Sequence, residues 1–304
     1  MNFTVKIKDK ILKNPVGVAS GTFGYGDEFA ELCDLENIGA IYTKAITLEP
    51  REGNKTPRIV ETPSGMLNAI GLANVGVDRF ISEKLVWARE NLIYPVIIPN
   101  VAGTTEEEYC KIIEKLDEAA GIWGYEINLS CPNVKAGAMQ FGTNPKMVED
   151  ITSKLRELTQ KPLIIKLSPN VSDICEIAAA AENGGADAVS CINTLVGMVI
   201  DTNKCRPFLA NKTGGLSGPA IRPVGVRMVY QVSRKVKIPV IGMGGITNAD
   251  DAIQYFLAGA SAIQIGTHNF IEPSIAGEIM NGIEEWAKNR GLNSISEIPA
   301  LLSE

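Results

Sequence analysis

Eight short apolar runs recur along the chain, and almost none shows the apolar-polar alternation of a half-exposed strand. They are Val16-Gly17-Val18-Ala19, Ala40-Ile41-Tyr42-Thr43, Pro95-Val96-Ile97-Ile98-Pro99, Trp123-Gly124-Tyr125-Glu126-Ile127, Pro162-Leu163-Ile164-Ile165, Ala188-Val189-Ser190-Cys191-Ile192, Pro239-Val240-Ile241 and Ser261 to Ile265. Near-continuous apolarity is what parallel strands buried on both faces require. Between the runs lie helical stretches, at 78–91, 105–120, 145–159, 174–182, 223–235, 249–258 and 274–289. Their ends carry stop and start chemistry. Thr104 or Thr105 caps a first turn rich in glutamate, Asn144 precedes a proline at the first helical position, and Asn183-Gly184-Gly185 ends the alanine-rich helix. Phe3 to Ile7 and Ile11-Leu12, separated by Lys8-Asp9-Lys10, read as a small N-terminal hairpin.

This rhythm predicts a (β/α)₈ TIM barrel in the α/β class, one domain over residues 1–304, with a doubly wound sheet as the competing fold. The residues just past the strands decide between them. Ser20, Lys44, Asn100, Asn128, Lys166, Asn193, Gly244 and Thr267 are polar or glycine, and a closed barrel gathers them on one rim, whereas an open sheet spreads them along an edge. Two stretches stand outside the rhythm. Leu48 to Leu72 is a long connection rich in proline, glycine and charge, and Leu195 to Gly218 reads as an irregular, protruding insertion after the sixth strand.

Composition narrows the function. With 304 residues and 45% hydrophobic content the chain can bury a large core, and a net charge of -6 disfavours nonspecific binding to nucleic acid or anionic membrane. The start, Met1 to Lys6, lacks the basic and apolar regions of a signal peptide, and no apolar run is long enough to span a bilayer. Cys33, Cys110, Cys131, Cys175, Cys191 and Cys205 are scattered, which fits reduced thiols in the cytoplasm and lacks iron-sulfur spacing. His268 is the single histidine, so zinc sites built on several imidazoles and serine-histidine triads are removed, and no metal site is expected.

Candidate chemistry centres on Asn128-Leu129-Ser130-Cys131-Pro132-Asn133. Pro132 biases Cys131 away from helical geometry, so the thiol sits on an extended turn between carboxamides; a small buried hydrophobe is the competing reading. Gly242-Met243-Gly244-Gly245 and Gly266-Thr267 end the last two strands, where such barrels hold phosphate on backbone amides. They are not a dinucleotide fingerprint, so a mononucleotide-sized cofactor fits better. Lys166 on a buried strand needs an anion, and a reduced flavin ring is one. Asn68, Asn128 and Asn193 suit an imide-like ring, the Asn68 to Asn74 loop can close over a substrate, and Cys131 is the candidate general base.

With these motifs in hand, the chain resembles class 1 dihydroorotate dehydrogenases over nearly its whole length. The most specific matches are Thr43-Lys44-Ala45-Ile46-Thr47 with Pro50-Arg51 and Gly53-Asn54, Asn68-Ala69-Ile70-Gly71-Leu72, Asn128 to Asn133, and Ile241-Gly242-Met243-Gly244-Gly245-Ile246. Cysteine at 131 resembles class 1, and Ser217-Gly218-Pro219-Ala220-Ile221-Arg222-Pro223 looks like subclass 1B. The resemblance implies FMN contacts from Ser20, Lys44, Ala45, Asn100, Asn128, Lys166, Ile192, Gly218, Gly244, Gly245, Gly266 and Thr267. It implies dihydroorotate contacts from Lys44, Asn68, Ala69, Ile70, Gly71, Leu72, Asn128, Asn193 and Thr194. Cys131 would take the C5 proton while hydride leaves C6 for FMN, in the pathway to UMP. Subclass 1B further implies a partner subunit carrying FAD and a 2Fe-2S cluster, electrons passing to NAD⁺, and a dimer of this chain within a heterotetramer. The alternatives are a homodimeric fumarate-linked class 1A enzyme, an FMN-dependent reductase of tRNA uridine, and a flavin-binding protein without turnover.

Overall fold

The N-terminal hairpin pairs β1 (Val5–Ile7) with β2 (Lys10–Leu12), setting Val5 opposite Leu12 and Ile7 opposite Lys10. The structure is a computed structural model that describes residues 1–129 and 141–303. From the hairpin the chain enters β3 (Val16–Val18) and then β4 (Ala40–Tyr42), both wholly buried. A second antiparallel pair follows, β5 (Ile59–Thr62) and β6 (Gly65–Asn68). Helical turns α1 (Val77–Arg79) and α2 (Leu85–Asn91) are joined by a wider π turn at Phe80–Lys84. Next come β7 (Val96–Ile98), β8 (Asn100–Val101), α3 (Glu106–Asp117), β9 (Tyr125–Asn128), α4 (Pro145–Leu158), β10 (Leu163–Leu167), α5 (Ile174–Asn183) and β11 (Ala188–Cys191). The short strands β12 (Leu195–Gly197), β13 (Ile200–Asp201), β14 (Arg206–Pro207) and β15 (Gly214–Ser217) precede α6 (Arg222–Ser233), β16 (Val240–Met243), α7 (Ala249–Leu257), β17 (Ala262–Ile265) and α8 (Ile275–Lys288).

The parallel strands run in the order β7-β4-β3-β17-β16-β11-β10-β9-β8. The two ends of that list are two halves of one strand. Pro99 has no amide hydrogen and interrupts the ladder, so β7 pairs with β4 while β8 pairs with β9, and the sheet closes through the break. Its carbonyl still accepts from the Glu126 amide at 3.0 Å. The third strand of the predicted barrel is therefore present but broken.

Caps and faces follow the sequence. Thr105 accepts from the Glu108 amide, and Asn144, followed by proline, accepts from the Met147 amide. The buried side of α3 is Tyr109, Ile112, Ile113 and Leu116, one stripe of a 3.6-residue period. At the N-terminal end of the barrel the inward residues Ala40, Tyr42, Ile98, Ile164, Ala188, Ile241 and Ala262 pack with Val5, Ile7 and Leu12 of the hairpin into one apolar cluster. The hairpin is thus a floor.

At the other end the expectation of irregular chain is corrected. β15 pairs with β6 and with β12, so the insertion after the sixth strand and the long connection after the second share a four-stranded sheet, β12-β15-β6-β5. Strands as short as β12 and β15, with glycine at Gly214 and Gly215, carry too little periodicity to be read alone, and β6, which pairs with β15, lies far away in the chain.

Candidate active site

Strand register decides what meets at the rim. Lys166 lies opposite Asn128 on one side and Ser190 on the other, and Asn100 lies opposite Glu126. Side chains two residues apart on a strand share a face, so Glu126 sits one layer below Asn128, inside the barrel. There its carboxylate is wholly buried and collects four donors. Oε2 accepts from Asn100 Nδ2 at 2.6 Å and from Lys166 Nζ at 3.3 Å, and Oε1 accepts from Ser190 Oγ at 2.7 Å and Gln264 Nε2 at 2.8 Å. The phenol of Tyr42, beside this group, is pushed far above its ordinary range by burial and then by the Glu126 charge.

Lys166, 6% exposed, thus has an anion within the protein, where the sequence pointed to a cofactor. Glu126, Ser190 and Gln264 were not singled out in the sequence. The usable signal was a carboxylate inside the buried run Trp123 to Ile127, because an unpaired buried charge is too costly to keep.

Two polar atoms of this layer have no partner among the described residues. Asn100 Oδ1 and Gln264 Oε1 are buried and unbonded, since both amides turn their nitrogen toward Glu126. Turned the other way, each would press an acceptor against a carboxylate. The pair of free acceptors fits a ring carrying N–H groups, as the isoalloxazine of FMN does.

The last two loops form a tight cradle. Gly244 and Gly245 have φ of 126° and 70°, and a Cβ at Gly245 would lie 2.7 Å from the carbonyl oxygen of Gly218. At Gly218, φ 94°, a Cβ would lie 2.7 Å from Gly65 Cα. Only glycine permits this backbone stack. Tyr255 Oη donates to the Gly244 carbonyl at 2.6 Å, and Arg222 pairs with Asp251, which also accepts from Thr247. Thr267 Oγ1 donates to Ser217 Oγ at 2.8 Å, which ties the Gly266-Thr267 turn to the same stack. A cofactor phosphate suits such glycine-lined, half-buried loop ends, so the residues present fit FMN at both the ring and the phosphate.

The proposed substrate residues also converge. Asn193 Nδ2 donates to Asn128 Oδ1 at 3.3 Å, and the Thr194 amide donates to Asn193 Oδ1 at 2.8 Å. Asn68 faces Gly215 across β6 and β15, and a Cβ at Gly215 would strike Thr194 Oγ1. The loop from Ala69 to Leu72 is held by Asn54, whose Nδ2 donates to the Ala69 carbonyl at 2.9 Å and whose amide donates to Ile70. Gly71 and Leu72 both have positive φ, at 78° and 58°. Ser20, Lys44 and Ala45 follow β3 and β4, and Ile192 follows β11, where its amide donates to the Met243 carbonyl. These strand ends belong to the same rim. Cys131, the expected base, lies outside the described residues, as do Ser130, Pro132 and Asn133.

Burial raises the thiol pKa of Cys33, Cys110 and Cys175, and that of the wholly buried Cys191 most strongly. Among the described residues no group of three or more His, Cys, Asp or Glu side chains converges as a metal site would, and no helix is long and apolar enough to cross a membrane.

Comparison with known proteins adds an independent line. The family model described as dihydroorotate dehydrogenase matches residues 2–286. The chain is similar to the protein named dihydroorotate dehydrogenase B (NAD(+)), catalytic subunit, of Geotalea uraniireducens, at 55% identity over 98% of this chain and 97% of that one. The protein of the same name from Pelobacter propionicus is 54% identical over 99% of this chain and 98% of its own. A crystal structure of DHODH in complex with ferulenol from Eimeria tenella matches with a TM-score of 0.81, covering 98% of this chain and 87% of that one. At 21% identity that likeness speaks for the barrel alone.

Proposed function

The chain belongs to the dihydroorotate dehydrogenase family, and we propose that it oxidises (S)-dihydroorotate to orotate in pyrimidine biosynthesis, as the catalytic subunit of an NAD⁺-linked enzyme. The observation that carries this is near-full-length identity above 50% to proteins of that name.

We assign the rim roles as follows. Asn100, Lys166 and Ile192 face the FMN ring with Ser20, Lys44, Ala45 and Asn128, and Gly218, Gly244, Gly245, Gly266 and Thr267 hold its phosphate. When bound, FMN supplies the acceptor for hydride. Dihydroorotate is gripped by Lys44, Asn68, Asn128, Asn193 and Thr194, with Ala69, Ile70, Gly71 and Leu72 shaping the loop beside it. Carboxamides suit this substrate because each can donate to a ring carbonyl and accept from a ring N–H. Cys131 takes the proton from C5, a task worth roughly 10²–10⁴-fold in rate for a positioned base. Its cysteine-proline setting supports the assignment.

The electrons leave through a partner. The relatives are named as catalytic subunits, which supports a second subunit, and we assign FAD and a 2Fe-2S cluster to it within a cytoplasmic heterotetramer built on a dimer of this chain. The test is a steady-state assay of the purified, FMN-loaded chain alone. It should oxidise dihydroorotate with artificial dyes but reduce NAD⁺ only when the partner is added. Efficient NAD⁺ reduction without a partner, or fumarate turnover equal to dye turnover, would refute the NAD⁺-linked assignment.

A further inference from the structure

The most heavily bonded carboxylate in the barrel has no part in the reaction as assigned. Glu126 is 0% exposed and lies at the centre of four strands, receiving Asn100 from β8, Lys166 from β10, Ser190 from β11 and Gln264 from β17. Each carboxylate oxygen already accepts two donors.

Its charged neighbour is Lys166, the lysine that the proposed function sets against the cofactor, and the inference rests on that assignment. Lysine is a point charge on a flexible four-carbon stem, and nothing in its own chemistry fixes where the ammonium points. A buried ammonium without an anion sheds its proton or swings toward water. The 3.3 Å pair with Glu126 supplies that anion and keeps the ammonium from swinging away. We propose that Glu126 is a positioning residue. It anchors the Lys166 ammonium just beneath the rim, so that the lysine is a fixed positive charge when FMN is bound. The same carboxylate turns the Asn100 amide so that Oδ1 stays free.

A carboxylate that only satisfies buried donors predicts something different, and so does one that acts on the cofactor by its own charge. Removing a negative charge near the ring would by itself raise the reduction potential. Removing the anchor of a positive charge lowers it.

The experiment measures the FMN dissociation constant of the apoprotein, by flavin fluorescence, and the midpoint potential of the FMN-loaded chain. The variants are Glu126→Gln, Lys166→Met and the two combined. The expected result is that Lys166→Met weakens FMN about tenfold or more and lowers the potential, that Glu126→Gln moves both readings in the same direction, and that the double variant matches Lys166→Met within about twofold. Such non-additivity marks residues acting as one unit. A potential that is unchanged or raised in Glu126→Gln overturns the proposal. So does a double variant weaker than Lys166→Met by about tenfold. If Glu126→Gln fails to fold, Glu126→Asp, which keeps the charge but shortens its reach to Lys166, is read in its place, with a lowered potential expected and an unchanged or raised one overturning the proposal. If Lys166→Met itself leaves both readings unchanged, the placement of Lys166 at the cofactor has failed, and the positioning role falls with it. That pattern is distinct from a responsive lysine beside a silent glutamate.

Discussion

The two ends of this barrel are built from the same eight strands and could hardly differ more. At the N-terminal end, Val5, Ile7 and Leu12 of the hairpin seal a cluster whose other members are alanine, isoleucine and one tyrosine. At the C-terminal end the same strands terminate in asparagine, lysine and glycine, and the loops double back into a second small sheet. Between the ends lies a single polar layer, Glu126 with its four donors. Tyr42 touches both, as a member of the floor cluster whose phenol lies beside Glu126. The difference teaches that stability and chemistry have been assigned to opposite ends, so that changes at one should leave the other readable.

The widest gap between the ends should come from Cys131→Ala. FMN should stay bound and the melting temperature should hold, while anaerobic stopped flow should show reduction by dihydroorotate slowed roughly 10²–10⁴-fold. A rate near that of the unaltered chain would leave the rim without its base.

On the floor, Leu12→Ala should cost about 2–5 kcal/mol in denaturant unfolding, because Leu12 is 1% exposed and the cavity left behind cannot collapse fully. FMN affinity of the folded fraction should be unchanged. A large loss of affinity would show that the ends are not independent.

Gly245→Ala tests the cradle. The positive φ and the approach to the Gly218 carbonyl make the substitution cost about 1–3 kcal/mol in local strain. Fluorescence titration should show FMN binding weakened about tenfold. Wild-type affinity would separate the glycine stack from the phosphate.

The smallest effect is expected at Asn54→Ala, which removes the clamp on the Ala69 carbonyl, a hydrogen bond worth about 1 kcal/mol. KM for dihydroorotate should rise several-fold with little change in kcat. A fall in kcat alone would mean that the loop positions something other than the substrate.

Much of this organisation was legible because each barrel strand is a short apolar run followed by a polar residue, and because caps such as Thr105 and Asn144 act locally. The floor hairpin was legible for the same reason. The sheet over the rim was not, since β12 and β15 are short and gain their order by pairing with each other and, through β15, with β6 far away in the chain. The broken third strand was hidden too, as Pro99 looked like a boundary and serves as a seam between two ladders. Glu126 was missed because one carboxylate inside an apolar run has no periodic signature. Its meaning depends on donors from four other places in the chain.

If the polar rim, and not the sealed floor, performs the oxidation of dihydroorotate, an anaerobic titration of the purified, FMN-loaded chain with dihydroorotate, following flavin absorbance and orotate formed, tests it most directly. The bound flavin should bleach with one orotate produced per flavin reduced, at the unaltered rate in Leu12→Ala and roughly 10²–10⁴-fold more slowly in Cys131→Ala. A flavin that stays oxidised under excess dihydroorotate, or bleaching that survives unchanged in Cys131→Ala, would contradict it.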